Sequence, residues 1–208
     1  MTKFWEKAFK EKQEMWGHVP ANSAELAKDF FKKHHVKDVL IPGIGYGRNA
    51  KTFIENGIKV TGIEISETAI EIAKKYFGDE LTIHHGSVTE MPFDNTLYDG
   101  IFCYGLIYLL DQDERQKLIQ DCYKQLKDDG FMFFTAITKA AKTYGQGIQI
   151  SKDRFEMFGG VKIYFYDDES IKEEFGDVGL FEVTDVEENY PFYLIKCRKG
   201  MNSHFKMT

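Results

Sequence analysis

The sequence has only three cysteines, Cys103, Cys122 and Cys197. No two share C-x-x-C spacing and none sits in a Cys/His cluster, so neither a zinc site nor any other metal centre is expected. Widely spaced thiols fit a reducing compartment. No apolar run approaches the ~20 residues of a membrane-spanning helix. The start, MTKFWEKAFKEKQEMW, lacks the apolar centre of a secretion signal, and the expectation is a cytoplasmic protein with no membrane partner. Positive charge is also in deficit: 27 Lys and Arg stand against 33 Asp and Glu, a net −6. The lysines alternate with glutamates, as in KEKQE, instead of forming a stripe. Attraction to phosphate backbones is therefore absent, and nucleic acid is not the expected partner. There is no internal repeat and no low-complexity linker.

What remains is an ordinary globular composition in 208 residues, with 43% hydrophobic and 29% charged residues. That is enough chain for one core, with an appendage at most. Aromatics reach 15%, which suits a large core or ring-lined pockets. Residues 3–15 carry helical spacing, broken by Gly17 and Pro20. Ser23 is placed to cap a helix over residues 24–33. DVLI reads as a buried strand ended by Pro42-Gly43, and a helix is expected over 48–55. IKVTGIEI alternates as a second strand, Ser66 caps a helix running to about Tyr76, and LTIHH is a third strand. YDGIFCYG is the fourth, an amphipathic helix spans 113–126, and DDGFMFFTA turns into the fifth. Residues 137–160 show no regular pattern. After them come an aromatic strand-like piece, a helix capped at Asp167 or Asp168, and two strands joined only by DVEENYP. Strands alternating with helices predict an α/β, doubly wound, mostly parallel sheet. The short last connection predicts a closing antiparallel hairpin.

The segment VLIPGIGYGRN, residues 39–49, strips side chains from Gly43, Gly45 and Gly47 where the first strand ends. In such sheets, ligands bind beyond the carboxyl ends of the strands. Glycine there admits positive φ and close approach of a ligand to the backbone. The second strand ends in Glu64, about 20 residues on, where a carboxylate meets the two ribose hydroxyls of an adenosine. A nicotinamide dinucleotide would call for G-x-G-x-x-G. Here the spacing is G-x-G-x-G and Arg48 occupies the place of that third glycine, which points to S-adenosylmethionine.

With these motifs the sequence resembles the class I S-adenosylmethionine-dependent methyltransferases over roughly residues 36–135. VLIPGIGYGRNA, VTGIEISETAIEIAKK, HHGSVTEMPFDNTLYDGIFCYGLIYLL and LKDDGFMFF are similar to that family's successive motifs. The form IPGIGYG and the lead segment FWEKAF…WGHVP are similar to the thiol, thiopurine, halide and tellurite-resistance branch. Two departures stand out: Ile41 and Ser87 occupy places where the family often has acids, and Ile44 replaces the branch's cysteine. The resemblance implies a seven-stranded Rossmann-like methyltransferase fold over residues 36–200, preceded by a helical lid over 1–35 and followed by a frayed tail over 201–208. It implies that Gly43 and Gly45 lie against the methionine portion of the cofactor, that Ile44 and Asn49 also belong to its binding site, and that Glu64 holds the ribose. Ile65 would cover the adenine, and Ser87 and Val88 would meet its edge. Cys103 and Tyr104 would flank the sulfonium.

The acceptor is expected to be a small molecule. No Asn/Asp-Pro-Pro-aromatic run follows the fourth strand, and no Pro-Cys pair occurs, which disfavours base methylation. Trp5, Trp16, His18, Tyr108 and Tyr144 are candidate lid or acceptor residues, and no catalytic base is nominated. Two rival readings stand beside this one. A nicotinamide-dependent oxidoreductase would use Tyr123-x-x-x-Lys127, and a binding module would keep the fold without turnover.

Overall fold

The computed structural model describes residues 2–200. In chain order the elements are α1 (Thr2–Lys12), α2 (Asn22–Lys33), β1 (Asp38–Pro42), α3 (Ala50–Ile54), β2 (Lys59–Glu64), α4 (Glu67–Phe77), β3 (Leu81–His85) and β4 (Tyr98–Cys103). They continue with α5 (Gln112–Gln125), β5 (Leu126–Ile137), β6 (Ile148–Ser151), β7 (Arg154–Glu156), β8 (Lys162–Tyr164), α6 (Asp168–Phe175), β9 (Leu180–Glu187) and β10 (Pro191–Arg198). Seven strands form one sheet in the order β3-β2-β1-β4-β5-β10-β9. The first five run parallel, and β10 is antiparallel to both its neighbours. The mostly parallel sheet with a closing antiparallel hairpin is thus the one the sequence predicts.

Side chains of the central strands point alternately to two faces, both of them buried. Leu40, Ile101 and Cys103 point to one face, where Leu118, Ile119 and Cys122 of α5 and Phe175 of α6 cover them. Val39, Ile41 and Phe102 point to the other, beneath Phe31 of α2 and Phe53 of α3. Helices therefore coat both faces, and the order reverses between β1 and β4. That reversal opens a crevice at the carboxyl ends of these two strands.

Several sequence expectations are corrected. The helix expected to start after a Ser23 cap begins at Asn22, and its N-cap, Ala21, makes no side-chain bond. Ser23 instead donates its N–H and hydroxyl to Glu188 Oε1, at 3.1 and 2.6 Å. A carboxylate from the β9–β10 turn thus takes over the local cap. The helix expected over 48–55 shrinks to five residues, because Gly47 and Arg48 belong to the turn that feeds it. The stretch 137–160 is not wholly irregular: β6 and β7 join β8 in a three-stranded antiparallel meander. Its strands are three or four residues long and β6 is exposed throughout, so no buried alternation marked them. The lid expected over 1–35 divides: α1 lies over the carboxyl-end crevice, whereas α2 packs onto the sheet as part of the core. The frayed tail expected over 201–208 lies outside the described residues.

Candidate active site

The first strand delivers the chain into a tight loop. The Gly43 and Ile44 amides donate to the Ile63 carbonyl at 2.9 and 3.1 Å, which pins the loop across the end of β2. Gly43 and Gly45 adopt φ of 69° and 59°, the left-handed region that side chains rarely enter. Gly47 is also left-handed, but its reason is packing: a Cβ there would come within 2.6 Å of the Phe77 ring.

Glu64 closes β2 directly beneath this loop and is 6% exposed. Its Oε2 accepts the Gly45 N–H at 2.8 Å, and its Oε1 accepts the N–H groups of Ile65 and Ser66 at 2.9 and 2.8 Å. Burial pushes its carboxyl above the ordinary glutamate value, and the three amides pull it only part of the way back. A carboxylate offers about four lone pairs. Three amides therefore leave acceptor capacity, on Oε2 in particular, facing the crevice.

A cleft of about 450 Å³ runs from Glu64, Ile65, Ser87 and Val88 over the glycine loop to Tyr104 and Tyr108. Gly43, Ile44, Gly45 and Asn49 line it. Ser87 reaches it too, but its hydroxyl pairs with Thr89 Oγ1 at 2.7 Å and accepts the Thr89 N–H at 3.3 Å, capping a short turn. Ile41, where an acid might stand, is a buried part of the cleft floor. On the far side, the Tyr104 hydroxyl donates to Glu188 Oε2 at 2.9 Å. Burial, and after it the Glu188 charge, push Tyr104 up to about 12. Tyr108 is likewise raised, chiefly by burial. Both tyrosines stay protonated at neutral pH.

The N-terminal segment roofs the cleft with rings. Trp16 stacks on Tyr46 at 6.3 Å with planes 12° apart, and Trp5 approaches Phe9 and Trp16 at 6.4 and 6.2 Å. The Tyr46 hydroxyl donates to the Gly17 carbonyl at 2.7 Å and accepts the Trp16 N–H at 3.2 Å. Asn49 accepts the Ala21 N–H at 2.9 Å, tying α2 to the glycine loop. The strap is fastened by Glu6 of α1. The Ser66 and Thr68 hydroxyls both donate to it at 2.7 Å, at the start of α4. Those bonds hold its carboxyl at about 2.

Three nominated residues lie elsewhere. Cys103 is fully buried with α5 in the core and does not line the cleft, because alternation along β4 turns it into the sheet's lower layer. His18 pairs with Glu14 at 3.0 Å and meets the edge of Tyr76, outside the cleft. Tyr144 donates to Asp153 at 2.6 Å beside the β6–β8 meander. Lys127 of the Tyr123-x-x-x-Lys127 pair binds Asp38 and Asp99 at 3.0 and 2.8 Å, at the starts of β1 and β4. That is the opposite end of the sheet from the cleft, so the pair cannot serve a dehydrogenase reaction there. The sequence reading missed Asn189, Tyr190 and Phe192, which enter the cleft from the terminal hairpin. Only their aromatic clustering in ENYPFY hinted at it.

Residues 39–130 match the family model described as a methyltransferase domain. Within that span the chain is similar to a methyltransferase domain. A protein of Geobacillus sp. (strain WCH70) described as a methyltransferase is 32% identical over 108 residues, 50% of this chain and 44% of its own length. A ubiquinone biosynthesis O-methyltransferase of Nitrosospira multiformis is 27% identical over 112 residues, 52% of this chain and 46% of its own. The chain thus matches a little under half the length of these curated relatives. Among solved structures, the 1,6-didemethyltoxoflavin-N1-methyltransferase of Burkholderia thailandensis, with S-adenosylhomocysteine bound, superposes with a TM-score of 0.75 at 15% identity. That likeness covers 95% of this chain and 86% of the other. It extends on either side of the 39–130 match and is a likeness of fold.

Proposed function

We propose that this protein transfers the methyl group of S-adenosylmethionine to a small-molecule acceptor. The observation that carries the reading is the single cleft joining Glu64 and the glycine loop to Tyr104 and Tyr108 across the β1/β4 reversal. The residues present fit the cofactor. Glu64 keeps acceptor capacity, chiefly on Oε2, for a ribose hydroxyl, Ile65 and Val88 offer apolar faces to an adenine, and the side-chain-free turn at Gly43–Gly45 leaves room for the amino-acid portion. When bound, the cofactor supplies an already activated methyl group, which leaves in an in-line displacement.

The chain's own contribution is alignment and exclusion of water. The Glu6 strap holds α1 and its rings over the cleft, and the Tyr104–Glu188 bond fixes one wall. Neither Tyr104 nor Tyr108 is poised to take a proton at neutral pH, since burial raises both. Net charge and an enclosed cleft of small-ligand size support a small acceptor over a polymer. The tryptophan-bearing roof supports the thiol, thiopurine and tellurite-resistance branch that the lead segment resembles.

The test is calorimetric titration with S-adenosylhomocysteine, followed by mass-spectrometric search for methylated products across thiols, phenols and amines. Micromolar binding with turnover of one class is expected. No binding, or tight binding of NAD(H) in its place, overturns the proposal. Binding without turnover in any class favours the non-catalytic module.

A further inference from the structure

Arg48 stands at the edge of the cleft, half-buried, with its guanidinium 5.3 Å from the centre of the Tyr104 ring. Among the described residues its one hydrogen bond is long, 3.4 Å from Nη1 to the Trp16 carbonyl, and no carboxylate comes within ion-pairing distance. Of the other three arginines, Arg115 pairs with Glu174 at 2.8 Å and Arg198 with Asp129 at 2.9 Å, while Arg154, on β7, does not line the cleft. Among the described residues, no acidic group in or beside the cleft pairs with Arg48. Glu188 gives one oxygen to Ser23 and the other to Tyr104, Glu114 accepts the Asp111 N–H at 2.9 Å, and Glu64 lies across the sheet under three amides. An acidic protein thus keeps one cation open toward the crevice.

The cation is also held in place. Tyr104 presents a ring face to it, an arrangement that attracts a guanidinium. Glu188 in turn fixes Tyr104 by its hydroxyl. A guanidinium held flat offers a planar fork of donors that matches a carboxylate with two parallel bonds. Beyond Tyr104 the surface is aromatic: Phe192 lies 6.3 Å from Tyr104 and 5.9 Å from Tyr108. By sheet order this is the β4 side, while Glu64 and Ser87 occupy the β2–β3 side that suits an adenosine.

We infer that Arg48 is the carboxylate-receiving group of the cleft and that it holds the acid group of a planar aromatic methyl acceptor. The inference rests on the methyltransferase reading of the same cleft. The cofactor's own amino-acid carboxylate is the other source of the same chemistry, so the test separates the two.

Protein loaded with S-adenosylhomocysteine is titrated with thiosalicylate and with its carboxylate-free counterpart thiophenol, at mildly acidic pH so that the thiophenol is uncharged and the carboxylate is not, in wild type, Arg48→Met and Arg48→Lys. Ligand-free protein is titrated with S-adenosylhomocysteine and with methylthioadenosine, which lacks the carboxylate. Wild type should prefer thiosalicylate by about 10- to 100-fold, the scale of a hydrogen-bonded charge pair. Arg48→Met should erase the preference and Arg48→Lys restore part of it, with S-adenosylhomocysteine affinity moving less than about 2-fold. The lysine variant and melting curves guard against loss of fold. Absent thiosalicylate binding in wild type, equal binding of acid and neutral probe, or a preference that survives Arg48→Met, overturns the inference. A fall in S-adenosylhomocysteine affinity with methylthioadenosine unchanged assigns Arg48 to the cofactor and overturns the acceptor role. Failure of wild type to bind S-adenosylhomocysteine would sink the methyltransferase reading itself, a separate result.

Discussion

The Glu188 carboxylate accepts the Tyr104 hydroxyl at 2.9 Å across 84 positions of sequence, and its other oxygen accepts both polar groups of Ser23. One side chain from the terminal hairpin therefore caps the start of α2 and sets a wall of the cleft. Acid at a helix N-terminus is favoured by the orphan amides and the helix dipole. Replacing Glu188 by Ala should lower stability by about 1–3 kcal/mol, the range for stranding buried partners of a charged group. Tyr104→Phe should cost less, because Ser23 keeps its partner. Urea titration of both variants checks this, and equal losses would contradict the double role.

Cofactor affinity should depend on pH through Glu64. Burial raises its carboxyl, so it takes up a proton at a higher pH than an exposed glutamate does. Ribose hydroxyls donate more strongly to the charged form, so S-adenosylhomocysteine binding should weaken as pH falls through that raised value. Binding in that window should also release protons, seen as a buffer-dependent enthalpy. In the ligand-free protein the linkage runs the other way: this group's contribution is fullest below its unfolded value and is lost as pH rises through the raised one. Glu64→Gln should remove the pH dependence and weaken binding about 10-fold or more.

Glu6 carries the opposite sign. Its folded value, about 2, lies below the ordinary 4.5, so its contribution is complete above 4.5 and is lost as pH falls through 2. Glu6→Gln should flatten the acid limb of the stability curve over that interval. It should also unfasten α1 from Ser66 and Thr68. Faster proteolysis within residues 13–20 and faster S-adenosylhomocysteine release would show it. Unchanged rates of both would mean that the strap is held by its aromatic contacts alone.

Cys103 should matter to the core and not to the ligand. Its side chain is fully buried beside α5, and burial raises its thiol far above the ordinary range. Cys103→Ala should reduce stability by about 1–2 kcal/mol through lost packing. Calorimetry should find S-adenosylhomocysteine affinity unaltered. A fall in affinity larger than about 3-fold would return the residue to the cleft wall.

The glycine turn, the acid closing the second strand, the alternation of strands and helices and the antiparallel ending were all legible in the chain. Each is a local pattern: a run of apolar residues, a left-handed turn, a short connection. One side of the cleft follows from such patterns, which is why Gly43, Gly45, Glu64 and Ile65 all line it. The meander of β6 to β8 was not legible, because short exposed strands leave no buried period to read.

Sequence alone thus determined the seven strands of the main sheet, their direction and which turn faces the crevice, since backbone geometry and hydrophobic period act over a few residues. Only the tertiary structure decided the far wall. It turned Cys103 inward by one step of the pleat and sent His18 and Tyr144 to other partners. It also brought Glu188 to Tyr104 and left Arg48 without a carboxylate. Those outcomes depend on contacts between residues dozens of positions apart, and no local pattern encodes which charges will meet.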